Sequence, residues 1–296
     1  MSVFHVISGI LSTARGKVDR LRVQFPRPMA RLLGEYPQYP LEDREALAGW
    51  NHANIPGVFY QTSESRHLGR THYLQINAFR RLNPELSFKF FDCGQRDDYM
   101  RNCWSRHPIA EIYECARFGQ VKADIFRYCI LWERGGMYCD IKSRFTVPLA
   151  SLLNEQSRLV LAYENRFVNV APPVNTLTHL HHPQRLALQW ALIAAPKHPL
   201  LHMVLEDIVD AAPSFNNIVY EDPQSAICRF TGPGRYTQAL WAWVAQSGTI
   251  EALQQVGIDF DNKAEYSMPG AWSRWALNPH YSLVRNAPIL SGLSLP

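Results

Sequence analysis

The sequence predicts an α/β fold with a mainly parallel sheet covered by helices on both faces. Three observations carry this expectation. Strand-like and helix-like patterns alternate from residue 55 onward. The stretch 119–134 is helical in pattern and so nearly all apolar that it must be buried. A glycine pair, Gly135-Gly136, closes that helix and passes the chain straight into a short apolar strand. The totals agree: 296 residues suit one large α/β domain, and 47% hydrophobic against 19% charged residues supports a sizeable core.

In chain order, residues 1–50 read as a basic, proline-rich arm and linker, and 51–296 as the folded domain. Residues 4–11 are apolar but too short to span a membrane, and lack the basic start and cleavage site of a secretory signal. Over 15–31 six basic residues face one acidic residue, interleaved with Val18, Leu21, Val23 and Phe25. That pattern suits either an anionic membrane surface or a solvated arm. Pro26, Pro28, Pro37 and Pro40 then mark the linker.

The domain opens with a strand at 55–61 and a helix at 72–82, stopped by Asn83-Pro84. A second strand follows at 86–91, where apolar and polar residues alternate. Helices are expected at 95–105, 108–117 and 119–134, then a strand at 137–140. Farther on, 159–163 and 188–194 read as buried strands, and 197–211 and 234–246 as helices. No internal repeat is present.

Several function classes fall away. The six cysteines include no Cys-x-x-Cys pair, so a zinc site of ordinary spacing is not expected. Their apolar settings suit reduced thiols in a cytoplasmic protein, with the basic arm as a peripheral contact on the inner face of a membrane. No Gly-x-Gly-x-x-Gly follows a predicted strand, which makes a Rossmann-type oxidoreductase a weak third reading. The net charge of +4 is scattered, suiting a small polyanionic ligand and giving no sign of nucleic acid. His179, His181 and His182 lie in a proline-containing loop with no carboxylate at metal-ligand spacing beside them.

The chemistry concentrates in 119–140. Asp124 and Arg127 stand three residues apart in the apolar helix and therefore share one face. Buried charges are costly unless paired or turned toward a polar cavity. From Asp124 to the end of the helix the chain advances roughly 15 Å, at about 1.5 Å per residue. The strand then returns roughly 13 Å to Asp140, at about 3.3 Å per residue. Asp140 thus ends level with Asp124 and Arg127, at the carboxyl end of a strand, where open α/β sheets place ligands. The spacing alone leaves two readings open: a cleft that binds a ligand, or a structural ion pair beside an Asp that starts a turn.

The stretch 116–142, with Asp124-Ile125-Phe126-Arg127, Gly135-Gly136 and Asp140-Ile141-Lys142, resembles the DXD-containing sugar transferases of glycosyltransferase family 32. Other parts agree in order. Ile55-Pro56-Gly57-Val58-Phe59-Tyr60-Gln61 is similar to the family's opening strand. Gln189-Trp190 with Ala195-Pro196-Lys197-His198-Pro199 resembles a later element, and Thr231-Gly232-Pro233-Gly234 resembles its Thr-Gly-Pro loop. The resemblance implies a GT-A (Rossmann-like) fold and transfer of a hexose from a nucleotide-sugar donor to a glycan or glycolipid acceptor. It also implies retention of configuration and a role in polysaccharide, such as capsule, biosynthesis.

Residue by residue, it implies that Asp124 and Arg127 bind donor-sugar hydroxyls and that Asp140 binds hydroxyls and organises the diphosphate. Val58, Tyr60 and Gln61 would border the nucleoside, Gln189 would face the anomeric carbon or the acceptor, and His280 would reach the diphosphate. Catalytic roles fall to Asp140, Lys142 and Gln189. The departure is Lys142, which stands where the family carries the second, metal-binding Asp. A lysine ammonium has no lone pair for Mn²⁺ or Mg²⁺, yet it can offset charge on a diphosphate. Three outcomes stay open: Lys142 replaces the metal; Asp140 and His280 hold one with the phosphates; or catalysis is lost. In the last case the chain is a non-catalytic nucleotide-sugar-binding or scaffold subunit.

Overall fold

The computed structural model describes residues 21–247, 253–278 and 283–294. Its centre is a sheet of strands β1 (Val58–Thr62), β2 (Ser87–Phe91), β3 (Gly136–Cys139), β4 (Leu159–Phe167), β5 (Arg185–Ala187), β6 (Ala191–Ala194) and β7 (Leu253–Ile258). Their order is β7-β4-β6-β3-β1-β2, with β5 beside β4. The pairs β7/β4, β3/β1 and β1/β2 are parallel, whereas β6 runs antiparallel to both β4 and β3. The expected mainly parallel sheet is therefore present, with β6 reversed inside it and β5 antiparallel to β4 beside it.

Helices cover both faces. The main core lies under α3 (Ile109–Cys115), α4 (Gly119–Arg134), α5 (Pro199–Ala211), α6 (Pro223–Phe230) and α7 (Pro233–Ser247), the segments that supply Ile125, Phe126, Ile130, Val204, Phe230 and Leu240 to it. On the other face, Phe79 of α1 (Arg70–Leu82) meets Phe59, Phe88, Met137 and Phe145. The alternation along β4 produces this division: Leu159, Leu161 and Tyr163 enter the first core, Val160 and Ala162 the second. Helix α2 (Cys93–Trp104) begins with a capping box, in which the Asp92 carboxylate accepts from Gln95 N–H and the Gln95 side chain accepts from Asp92 N–H.

Helix α4 ends where the sequence placed its stop. Gly135 and Gly136 have φ of +65° and +103°. A Cβ on Gly136 would sit 2.6 Å from the Val58 carbonyl oxygen, so glycine is required both by conformation and by the approach of β1. The stretch 188–194, expected as one strand, is instead β6 preceded by irregular chain at 188–190. Leu188 N–H still donates to Ala162 O at 2.9 Å, after which the chain leaves the ladder. Strand β7 and helix α6 were not expected from the sequence, although Pro223, Ala226, Ile227 and Phe230 of α6 stand at helical spacing and are buried.

The boundary expected at residue 51 does not mark where packing begins. A short helix, Pro26–Leu32, lies on the 3₁₀ segment Ala271–Ala276, with Arg27 Nε donating to Ala276 O at 2.7 Å. Tyr39–Pro40 pairs with His67–Leu68, Ala30 and Leu41 are fully buried, and Arg44 donates to the carbonyls of Arg80 and Asn83, both at 2.7 Å. Prolines suppressed the sequence pattern here, although Pro37 itself is buried. Among the described residues, no helix is long and apolar enough to cross a membrane.

Candidate functional site

Sheet register explains why the charges meet. Tyr60 of β1 pairs with Tyr138 of β3, so the carboxyl ends of both strands reach one edge. Asp140 follows β3 at that edge. Because β6 is reversed, its amino end reaches the same edge and brings Gln189 and Trp190 with it; Asp140 N–H donates to Trp190 O at 2.8 Å.

Arg127 is the hub. Its Nη2 lies 2.9 Å from Asp124 Oδ1 and 3.0 Å from Asp140 Oδ1, its Nη1 donates to Gln189 O at 2.9 Å, and its guanidinium stacks 4.7 Å from the Tyr138 ring centre. Asp124 is saturated as well. Oδ1 also accepts from Gln189 Nε2 at 2.9 Å, and Oδ2 accepts from Thr231 Oγ1 at 2.8 Å. Tyr138 Oη donates to Asp140 Oδ1 at 3.2 Å, and Lys142 Nζ stands 3.5 Å from Asp140 Oδ2. Lys142 Nζ also sits 3.8 Å from the ring centre of Tyr266, whose edge meets Trp190.

Of the two sequence readings, the ion pair is what the structure shows: Asp124 and Arg127 are a buried pair, and Asp140 joins them. Burial pushes the Asp124 carboxyl up from its ordinary value, with Arg127, Gln189 and Thr231 pulling it back. Burial alone would lower the Arg127 guanidinium, but Tyr138, Asp140 and Asp124 outweigh it and raise it. The side chains of Arg127 and Asp124 are 4% and 9% exposed, whereas Asp140 and Lys142 are each 20% exposed. The members of the cluster that reach solvent are therefore Asp140 and Lys142. Asp124 and Arg127, expected to bind hydroxyls, have their polar atoms engaged with one another and with Gln189 and Thr231, so they fix Asp140 in place.

The first-strand residues divide. Gln61 stands level with Cys139 at the edge where Asp140 lies, 2% exposed, with an Oε1 that has no hydrogen-bond partner among the described residues. Val58 lies at the opposite end of β1, and Tyr60 is a core residue that packs its ring on Phe91. Neither fits the expected nucleoside border, because alternation turns Tyr60 into the sheet–helix core and strand direction puts Val58 at the far end. His280 lies outside the described residues.

A divalent cation does not fit Asp140 as it stands. One carboxylate oxygen faces Arg127, the other faces Lys142, and no group of three His, Cys, Asp or Glu among the described residues could hold a metal ion. A metal there would sit beside two cations.

Sequence reasoning missed four contributors. Thr231 belongs to a stretch noted for its resemblance but given no role. Tyr138 could have been found two residues before Asp140 on the same strand face. Tyr266 and His72 come from distant segments and left no signal. His72 is fully buried beneath the loop after β3, its Nε2–H donating to Ile141 O at 2.8 Å. Burial lowers its pKa from 6.5 to about 4. The unfolded chain therefore takes up this proton first, and stability present above pH 6.5 is lost as pH falls toward 4. The expected loss is about 2–3 kcal/mol from this residue. Urea unfolding at neutral and acid pH should show a shallower decline in His72→Gln; an unchanged decline would place the acid sensitivity elsewhere.

With this geometry in view, residues 69–159 match the family described as "Glycosyltransferase sugar-binding region containing DXD motif". The chain is 27% identical over 200 residues to the initiation-specific alpha-1,6-mannosyltransferase of Schizosaccharomyces pombe, covering 64% of this chain and 48% of that protein. The protein of the same name from Candida albicans is 25% identical over 174 residues, covering 55% and 45%. The chain thus spans about half the length of these curated relatives. Among solved structures, the PaToxG glycosyltransferase aligns with a TM-score of 0.46 and 15% identity over 64% of this chain and 69% of that one.

Proposed function

We propose that this chain, whose residues 69–159 carry the glycosyltransferase sugar-binding region, is an active enzyme transferring a hexose from a nucleotide sugar to a glycan or glycolipid, with retention. A mannosyl nucleotide is the first donor to test, because both curated relatives are named as mannosyltransferases. The observation that carries the reading is Asp140, held by Arg127 and Tyr138 and left partly exposed beside Lys142. Asp140 accepts hydrogen bonds from donor hydroxyls. Lys142 offsets the charge that develops on the departing diphosphate, an electrostatic contribution that is large in a partly dehydrated cleft. Gln189, whose amide is locked onto Asp124, fixes the wall between donor and acceptor. The donor is expected to bind and react without a divalent ion.

A second reading, a nucleotide-sugar-binding subunit without catalysis, draws on the same Lys142–Asp140 contact, since a paired Asp140 is less available. One experiment separates them. Initial rates with GDP-mannose, UDP-glucose, UDP-galactose and UDP-N-acetylglucosamine are measured in EDTA and in millimolar Mn²⁺, with thermal shifts for binding. Wild type is expected to turn over one donor in EDTA. Lys142→Ala should lose roughly 10²-fold, the scale of one electrostatic donor, with only partial recovery in Mn²⁺, and Lys142→Asp should become metal-dependent. Wild-type activity abolished by EDTA and restored by Mn²⁺ would refute the replacement of metal by lysine. A thermal shift with no turnover under any condition favours the non-catalytic subunit.

A further inference from the structure

Among the described residues, the buried acidic side chains are Asp124 and Glu164. Asp124 has both oxygens engaged, by Arg127, Gln189 and Thr231. Glu164 is only half engaged. Its Oε2 accepts from Arg166 Nε at 2.6 Å and pairs with Arg166 Nη2, whereas no hydrogen bond reaches Oε1 among the described residues. The side chains of Arg166 and Glu164 are 60% and 8% exposed, so the pair stands at the surface with its acid on the inside. Taking a carboxylate out of water is costly, and one partner on one oxygen offsets only part of that cost.

Sheet direction says where this carboxylate lies. Strand β6 is antiparallel to both β3 and β4, so β3 and β4 run the same way and their carboxyl ends reach one edge. Asp140 follows β3 at that edge. Glu164 comes directly after Tyr163, which pairs with Ile258, the last residue of β7. Alternation gives Glu164 the face of Val160 and Ala162, whose core includes Trp190. Tyr266 meets Trp190 and carries Lys142 over its ring. The charges agree with this placement. Burial raises the Glu164 carboxyl, Arg166 and Lys142 pull it back, and Asp259 pushes it up. Burial also raises the Cys228 thiol of α6, and Glu164 and Asp124 both add to that rise. A buried carboxylate with a free oxygen, within the field of Lys142, is suited to take a proton from a hydroxyl.

We propose that Glu164 is the acceptor-side base of the transfer: Oε1 receives the hydrogen bond of the attacking acceptor hydroxyl and takes its proton. The acceptor oxygen bonds to the anomeric carbon as the bond from that carbon to the diphosphate breaks. The electron pair leaves with the diphosphate, whose charge Lys142 offsets, and the proton passes from Glu164 to solvent. With the base and Lys142 toward one side, the acceptor enters where the diphosphate leaves, an entry consistent with retention. This assignment rests on the enzyme reading above.

The test compares variants of the full chain for transfer to methyl α-mannoside, for hydrolysis with water as acceptor, and for donor binding by thermal shift. The four donors are those of the preceding experiment. Glu164→Gln should lower both rates about 10²-fold, the low end of what a positioned base contributes. Its thermal shift and donor KM should stay within about twofold of wild type, because the loss falls on kcat. Arg166→Gln breaks the same ion pair but leaves the carboxylate, and should keep turnover about tenfold or more above Glu164→Gln. Undiminished turnover in Glu164→Gln overturns the proposal, as do equal losses in the two variants, which would make the pair structural. If Glu164→Gln does not fold, Glu164→Asp decides: drawing the carboxylate back by one methylene should cost about tenfold or more, and undiminished turnover there also overturns it. A wild type inert with every donor and acceptor removes the enzyme reading and this assignment with it, whereas each of the other outcomes leaves the enzyme reading standing.

Discussion

Asp124→Ala is expected to cost about 3–5 kcal/mol of stability and to abolish turnover, because it leaves a buried guanidinium without its nearest partner. In the folded protein Asp124 receives Arg127, Gln189 and Thr231 together. Alanine removes all three contacts, and the space it leaves is too enclosed to admit water freely. Asp140 remains against Arg127, but the guanidinium loses the contact that sets its angle. Asp124→Asn should be the milder change, since its amide oxygen can still accept from one neighbour, yet it removes the charge that balances Arg127. Chemical denaturation of the three proteins, with circular dichroism to confirm the fold, measures the difference. An Asp124→Ala protein as stable as wild type would mean that water reaches this face of α4.

The second large effect is on activity alone. Asp140→Asn should leave the melting temperature within a few degrees of wild type, because Asp140 is 20% exposed and lies outside the hydrophobic core. Donor affinity is expected to fall by about 1.5–3 kcal/mol, the value of a charge-assisted hydrogen bond. Turnover should fall further if the contact tightens in the transition state. Donor titration by calorimetry and initial rates on the same preparation check both parts. Undiminished turnover would remove Asp140 from the centre of the site.

The convergence of Asp124, Arg127 and Asp140 was legible because it depends only on local geometry: helix rise, a glycine stop and strand rise, all within one stretch of chain. The sheet was legible where helices and strands alternated strongly. Contributions from afar were not. Thr231 reaches Asp124 across 107 positions and Gln189 across 65, and no period in the sequence encodes such contacts. The reversal of β6 was hidden for a related reason: a short, wholly buried strand is apolar on both faces and carries no mark of direction. Val58 and Tyr60 were misplaced because a resemblance names a strand without saying which end or face meets the ligand. The packed N-terminal segment was obscured by prolines, which weaken the periodic signal without preventing burial.

The same long-range contacts govern when the site comes into being. Contacts between residues far apart in sequence form late, since the intervening chain must be ordered before they are rewarded. During synthesis, α4 and Asp140 leave the ribosome well before Thr231, so Asp124 and Arg127 first meet without the hydroxyl that completes Asp124. The carboxyl-terminal helices that follow Thr231 then act as the last clasp. A nascent chain therefore carries the binding motif long before it can hold the motif in shape, and premature termination ahead of Thr231 leaves a helix with charges buried and half satisfied, a form suited to quality-control proteolysis rather than to function.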